Sequence, residues 1–365
     1  MKLADKYIIK QVLTATVLSV LLFIIVWISP EILFKIINQA VSGKITPDVA
    51  VKLFCLEIPE IFGKAIPVGL LLGSLFVFDR LSKDFELVIM RSTGISLKRL
   101  AVPILIISGI FSVFCFFTYD RLIPYSANKI KEIQQYEANA QFVYIDRTEN
   151  NKPKQAIIVT CFNGKQAYFL DILDFADAVS DNSPLIKKIT TATNVDLGND
   201  KWVLKDGIEY KIAPDGVYES IKNFKTKEIL NGEKAKKVLT LMKYSVKKSD
   251  EFTNSELLSY INLLKAENLE DEYRFMLNKL YQRHAQAFNC ILLAICGVIL
   301  GYGKPRQIRA LGFTAAAGII ALYYITVPFI DLLAEKGVLP PLLAACIPCI
   351  FVLGCIAGLL KFKEL

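Results

Sequence analysis

The 365-residue chain is 53% hydrophobic and 21% charged, with a mean hydropathy of +0.42 and a formal net charge of +8. An ordinary soluble domain is about 45–50% apolar and about 25% charged. The composition therefore excludes a disordered chain, a collagen-like fibre and a small disulfide scaffold, and argues against a wholly soluble enzyme. The hydrophobicity is concentrated in six stretches without Asp, Glu, Lys, Arg or His: Gln11–Pro30, Ala65–Phe78, Leu100–Tyr119, Ala285–Gly303, Ala310–Ile330 and Gly337–Leu360. A helix rises about 1.5 Å per residue, so about 20 residues cross a hydrocarbon core of about 30 Å. Five stretches qualify directly. Ala65–Phe78 is shorter, but its apolar run reaches back through Ile58–Gly63, interrupted by Glu60 and Lys64. It is counted as a span with a polar outer end.

The first stretch follows Lys2, Lys6 and Lys10 and so superficially resembles a signal peptide. Its apolar run is too long, and Trp27-Ile28-Ser29-Pro30 is not a small-x-small cleavage site, so the segment is expected to stay in the mature protein. With the N-terminus inside, 13 Lys and Arg fall in the inner segments and 5 in the short outer ones. The positive-inside rule then places both termini in the cytoplasm, and Asp120–Arg283 outside. That long segment holds 25 Lys/Arg and 24 Asp/Glu, so the net charge is chiefly a topology signal and offers no basic face for nucleic acid.

Within residues 120–283 the pattern changes. Ser126–Gln141 reads as a polar helix. Ala156–Phe162, Gln166–Leu170, Lys187–Leu197, Trp202–Ile212, Val217–Ile221 and Val238–Tyr244 read as strands, punctuated by Asn163-Gly164, Gly198-Asn199-Asp200, Asp206-Gly207 and Asp215-Gly216. Strands at this spacing predict an all-β sandwich or jellyroll. Thr253-Asn254-Ser255-Glu256 is a capping box opening a helix, and Leu269–His284 leads helically into the fourth span. The plan is residues 1–119 with three spans, residues 120–283 as the outside β domain with helical flanks, and residues 284–365 with three spans.

Little catalytic chemistry is present. No G-x-x-x-x-G-K-[ST] phosphate loop occurs, and His284 is the single histidine. A metal, a cofactor and a histidine-based catalytic triad are not expected. Six of the eight cysteines lie in spans and Cys161 is alone in the outside segment, so no disulfide framework forms there. Cys346-x-x-Cys349 has redox spacing but sits in an apolar helix, where small packing residues are the expectation.

The most informative segment joins the second and third spans: Asp79-Arg80-Leu81-Ser82-Lys83-Asp84-Phe85-Glu86-Leu87-Val88-Ile89-Met90-Arg91-Ser92-Thr93-Gly94. Leu81, Phe85, Val88 and Ile89 recur at helical spacing, Ser82 is placed to cap, and Gly94 to terminate. The spacing predicts one amphipathic helix over about residues 80–95. Two readings stand open on the residues alone: a helix lying on lipid, and a docking helix whose Asp84, Glu86, Arg80, Lys83 and Arg91 meet a soluble partner.

Gly73-Ser74-Leu75, Arg80 to Leu87 and Arg91-Ser92-Thr93-Gly94-Ile95-Ser96 resemble the coupling-helix region of the LptF/LptG (YjgP/YjgQ) permease family. Pro59 and Pro67, Ile123-Pro124 with Ala127-Asn128, Gly301-Tyr302-Gly303 with Arg306, and Gly337 to Pro341 extend the resemblance over nearly the whole chain. Phe85 departs from it, standing where a small polar residue often precedes the glutamate. The resemblance implies a permease subunit of the bacterial inner membrane that pairs with a second such subunit. It also implies an LptB-like ATPase dimer bound to the coupling helix, and lipopolysaccharide passed through a periplasmic jellyroll to an LptC/LptA-like bridge. It makes Glu86 the residue expected to meet the ATPase. An amphiphile with anionic phosphates suits a cationic rim, for which Lys35 and Lys64 are candidates. A receptor or scaffold with a ligand-binding β domain, and a permease for another lipid, are the alternative readings.

Overall fold

A computed structural model describes the chain except residues 1–2, 29, 44, 134–141, 148–151, 163–165, 177–185, 199–200, 304–309 and 363–365. Six of its helices are long and apolar enough to cross a membrane. They are α1 (Leu3–Trp27), α3 (Pro47–Lys83), α5 (Leu97–Phe117, continued by a π turn at Thr118–Leu122 and by α6, Ile123–Ile133), α9 (Glu270–Gly301), α10 (Ala310–Glu335) and α11 (Pro341–Phe362). Two short helices join them: α2 (Pro30–Val41), which the apolar-run reading did not separate, and α4 (Glu86–Ser92). The chain forms two compact units, Met1–Ile133 with Ser249–Leu365, and Gln134–Lys248. The second unit is narrower than the 120–283 expected, because α6, α8 (Asn254–Ala266) and the start of α9 belong to the helical unit.

In the helical unit α3 and α9 lie centrally, with α1 packed on α3 and with α5 and α11 packed on α9. Glycine makes this possible. Gly69 and Gly73 are four apart on α3, and a Cβ at Gly73 would stand 2.5 Å from Thr16 Oγ1 and 2.7 Å from its backbone nitrogen on α1. Gly297 and Gly301 are four apart on α9, and added Cβ atoms there would stand 2.3 Å from Leu71 O and 2.6 Å from Leu75 O of α3. Between apolar helices in lipid there is no hydrophobic drive, so close approach through small residues supplies the packing. Ser74 Oγ donates across the same seam to Ala294 O at 3.0 Å. Pro67 inside α3 removes one backbone donor to Gly63 O, and the buried Cys115 thiol lies 3.9 Å from that oxygen.

The expected capping box forms: Thr253 Oγ1 accepts from Glu256 N at 3.3 Å and Glu256 Oε2 from Thr253 N at 3.1 Å. The helix it opens is anchored to α9 by buried Arg283, which donates to Asn254 Oδ1 (2.7 Å), Ser249 O (2.9 Å) and Phe252 O (2.9 Å). His284 Nδ1 sits 2.9 Å from Leu280 O beside the Phe116 ring.

The β unit is one antiparallel sheet in the order β1-β2-β3-β4-β5-β6, each described strand paired with its sequence neighbour. The strands are β1 (Phe142–Arg147), β2 (Pro153–Phe162), β3 (Gln166–Phe175), β4 (Ile186–Leu197), β5 (Lys201–Ile212) and β6 (Tyr218–Asn231). Five strands fall where they were expected, and β1 was not anticipated. The sixth expected strand, Val238–Tyr244, is instead part of helix α7 (Glu233–Ser245). Its Ala235, Val238, Leu239 and Met242 are buried at helical spacing, and the Glu233–Lys237 run ahead of them favours helix. α7 touches β1, β5 and β6, over a sheet whose buried residues include Tyr144, Ile157, Leu170, Val195, Trp202 and Leu204. Asp206-Gly207 lies within β5 and is no turn between strands: Asp206 takes φ 52°, and Lys205–Asn194 and Gly207–Ala192 stay paired on either side.

Candidate functional site

The segment between α3 and α5 is not the single helix over residues 80–95 that its periodicity predicts. Arg80, Leu81 and Lys83 form the last turn of α3. Asp84 closes that turn, its N–H donating to Arg80 O at 2.9 Å, and Phe85 takes φ 62°. A left-handed residue ends a helical rod, and a side chain with Cβ adopts it at a cost. Helical bonding resumes with Ile89 N to Phe85 O at 3.0 Å, so α4 is a separate helix of seven residues. Ser82 does not cap it: its buried hydroxyl donates to Gly301 O of α9 at 3.2 Å. Gly94 ends α4 as expected. With φ 85° it places Gly94 N on Arg91 O at 3.0 Å and Ile95 N on Met90 O at 3.2 Å, the two bonds of a Schellman turn. Ser96 then caps α5, accepting from Arg99 N at 3.3 Å.

The break divides the candidate residues. Leu81 is fully buried, inside the core shared by α1, α3, α5 and α9. Leu87 is the buried anchor of α4, whereas Val88 is 48% and Ile89 61% exposed. Phe85, Arg80, Lys83, Asp84 and Arg91 are also exposed. Several of these charges are already paired: Lys83 Nζ lies 2.5 Å from Asp79 Oδ2, and Arg80 Nε 3.5 Å from Asp84 Oδ2. Arg91 donates to Tyr302 Oη beyond the end of α9, and its guanidinium lies 5.8 Å from the ring centroid. Glu86 is half-buried, and its Oε1 accepts from Tyr7 Oη of α1 at 3.1 Å. Asp5, two residues before Tyr7, meets Arg99 of α5 at 2.8 Å. The spacing of residues 79–94 gave no sign of these ties to α1 and α9, because Tyr7 and Tyr302 are far away in the chain.

The two lysines proposed for a cationic rim lie on different helices. Lys64, on α3, holds Glu60 one turn away at 2.8 Å, and its carbonyl accepts from Tyr324 Oη of α10 at 2.8 Å. Lys35 lies on α2, and its side chain falls outside the described residues. A second polar cluster was not anticipated: Asp331 of α10 accepts from Asn278 (2.8 Å), Lys279 (2.5 Å) and Gln282 (2.5 Å) of α9. The i, i+1, i+4 spacing of the three donors was visible in the sequence; their common acceptor was not. In the β unit a cavity of about 850 Å³ is bordered by Lys154, Lys187, Lys188, Lys211 and Lys234, with Asp146 among its acids.

Six apolar helices with an antiparallel β unit inserted in the chain between the third and fourth of them define a polytopic membrane protein. The chain belongs to the LptF/LptG family: residues 6–361 match the family described as the lipopolysaccharide export system permease LptF/LptG. No curated protein matches the chain. Family membership makes it a permease, a transport subunit of lipopolysaccharide export.

Proposed function

We propose that the chain is one of two permease subunits of an ATP-driven exporter in the bacterial inner membrane. In this reading both termini and α4 face the cytoplasm, and the β unit faces the periplasm. Lipopolysaccharide leaves the membrane between the subunits and passes along the β unit to an LptC/LptA-like bridge. A separate LptB-like ATPase dimer, docked on α4, supplies the energy.

The observation that carries the reading is α4 itself. It is anchored by one buried leucine, presents Val88 and Ile89 outward beside Phe85, and is ringed by Arg80, Lys83, Asp84 and Arg91. An apolar centre with a charged rim is the anatomy of a protein interface. Glu86 contributes from the edge: one carboxylate oxygen holds Tyr7, and an ionised carboxylate has further acceptor capacity for a basic group of the ATPase. The apolar faces of α1 and α10, including Leu18, Leu22, Ile25, Ile325 and Phe329, are exposed and suit lipid or the second subunit.

The test is co-purification of the ATPase with Ile89→Asp and with Glu86→Ala. Placing a charge at the apolar centre is expected to reduce retained ATPase at least ten-fold, about 1.4 kcal/mol of affinity. Glu86→Ala is expected to weaken retention or to uncouple hydrolysis from transport. Wild-type retention and transport by both variants would sink the reading. Lys35 and Lys64 are proposed to meet substrate phosphates. For Lys64 this requires exchanging Glu60 for the ligand, so a double charge reversal should lower lipopolysaccharide-stimulated hydrolysis.

A further inference from the structure

We propose that Tyr7 is a positioning residue that couples displacement of α4 to α1. The proposal rests on the reading that a partner docks on α4.

α4 is seated by Leu87 in the core of the neighbouring helices, but its axis is continuous with neither the span it follows nor the span it precedes. The left-handed Phe85 interrupts the rod on the α3 side, and Gly94 at φ 85° interrupts it on the α5 side. A force applied to α4 is therefore not delivered along either helix axis. Side chains make the connection instead. Tyr7 Oη donates to Glu86 Oε1 at the first residue of α4, and Arg91 in its last turn donates to Tyr302 beyond the end of α9. Asp5, two residues before Tyr7, holds Arg99 in the first turn of α5. One end of α1 is thus tied to both sides of the segment that a partner would move.

α1 is suited to carry that motion. Its 25 residues form a rod about 37 Å long. Toward its far end Phe23 and Trp27 stack at 5.1 Å, and Trp27 lies 5.0 Å from the ring of Tyr324 on α10. The same rod therefore joins α4 at one end to α10 at the other. The Tyr7–Glu86 bond is the directional element: a hydroxyl donating to a carboxylate is stronger and more orienting than a neutral pair. Phenylalanine removes that donor and leaves the ring.

The experiment uses the complete complex with its ATPase in proteoliposomes containing lipopolysaccharide. ATP hydrolysis and lipopolysaccharide delivered to an acceptor are measured in one sample. Tyr7→Phe is expected to retain the ATPase on purification, because the outward face of α4 is untouched, while lipopolysaccharide delivered per ATP falls at least five-fold. In a Glu86→Gln background, which keeps a carbonyl acceptor, Tyr7→Phe should cause the same drop. In a Glu86→Leu background it should cause none. An unchanged ratio in Tyr7→Phe overturns the proposal. So does a parallel fall in retained ATPase, hydrolysis and delivery, which would make Tyr7 only a prop for the docking surface. Wild-type complex that retains no ATPase would instead defeat the reading beneath it, in the same purification.

Discussion

Helices α3 and α10 are nearly alike in apolar character, with mean hydropathy 2.0 and 1.8 over their most apolar windows, yet 78% of that window is buried in α3 and 22% in α10. Hydropathy therefore says that a helix can enter the membrane and nothing about its place there. Glycine separates the two. Gly73 on α3 and Gly297 and Gly301 on its partner α9 meet a neighbouring backbone at distances no side chain would permit. On α10 and α11, Gly318, Gly354 and Gly358 face open space. Two helices thus form the frame through backbone proximity, and the others lean on it while presenting Leu, Ile, Val and Phe outward.

The largest effect expected from this contrast is at Gly297. A Cβ there would lie 2.1 Å from Ser74 Oγ and 2.3 Å from Leu71 O, and the backbone oxygen has nowhere to turn. Gly297→Leu should cost about 3 kcal/mol or more, at the upper end for overpacked cores, read as a fall in unfolding temperature of the detergent-purified protein. Gly318→Leu should cost less than about 0.5 kcal/mol. Equal losses at the two sites would erase the distinction between frame and outer helices.

Asp331 is the next largest. It holds an otherwise loosely packed α10 to α9 through Lys279, Gln282 and the fully buried Asn278. Asp331→Leu strands the lysine charge and the Asn278 amide, at an expected cost of about 2–3 kcal/mol; the partial exposure of the pair keeps it below the range for fully buried ones. Adding Lys279→Met should recover part of that loss, because the stranded charge is gone. If the double variant is less stable than Asp331→Leu, the cluster is more than a tie between two helices.

Much of this architecture was legible in the residues. Charge-free runs of about 20 residues mark spans because lipid admits no unpaired charge, and the capping box at Thr253 is a local device that needs no tertiary help. The failures have several physical causes. Leu81, Phe85, Val88 and Ile89 read as one helix because a positive φ at Phe85 leaves no trace in periodicity, and Glu86 alone could not reveal that Tyr7 lies opposite it. Val238–Tyr244 is β-branched and aromatic enough for a strand, but Glu233–Lys237 upstream carries helix into it. β1 was overlooked although Phe142, Val143, Tyr144 and Ile145 alternate buried and exposed, because all four are apolar and show no period of two in the residues. Gly69/Gly73 and Gly297/Gly301 had the right spacing in plain view; only the packing shows which glycines are in use.

The smallest effect asks whether an ion pair in the β unit behaves like the one on α9 and α10. Glu209 on β5 accepts from Lys227 on β6, with Lys188 of β4 at 3.5 Å. The Lys227 hydrogen bond holds the Glu209 carboxyl below the ordinary glutamate range. A carboxyl depressed in the folded state stabilises above its unfolded pKa, and that contribution is lost as pH falls through the folded value. Glu209→Gln should therefore cost about 1 kcal/mol or less at pH 7, since solvent screens a pair at the sheet surface. Its difference from wild type should shrink as pH falls below about 4. At 1 M salt the loss at Glu209 should shrink further, because its lysine partners are partly exposed to screening ions. A Glu209→Gln penalty that persists at pH 3 and in high salt would mean that the carboxylate acts through packing of the sheet.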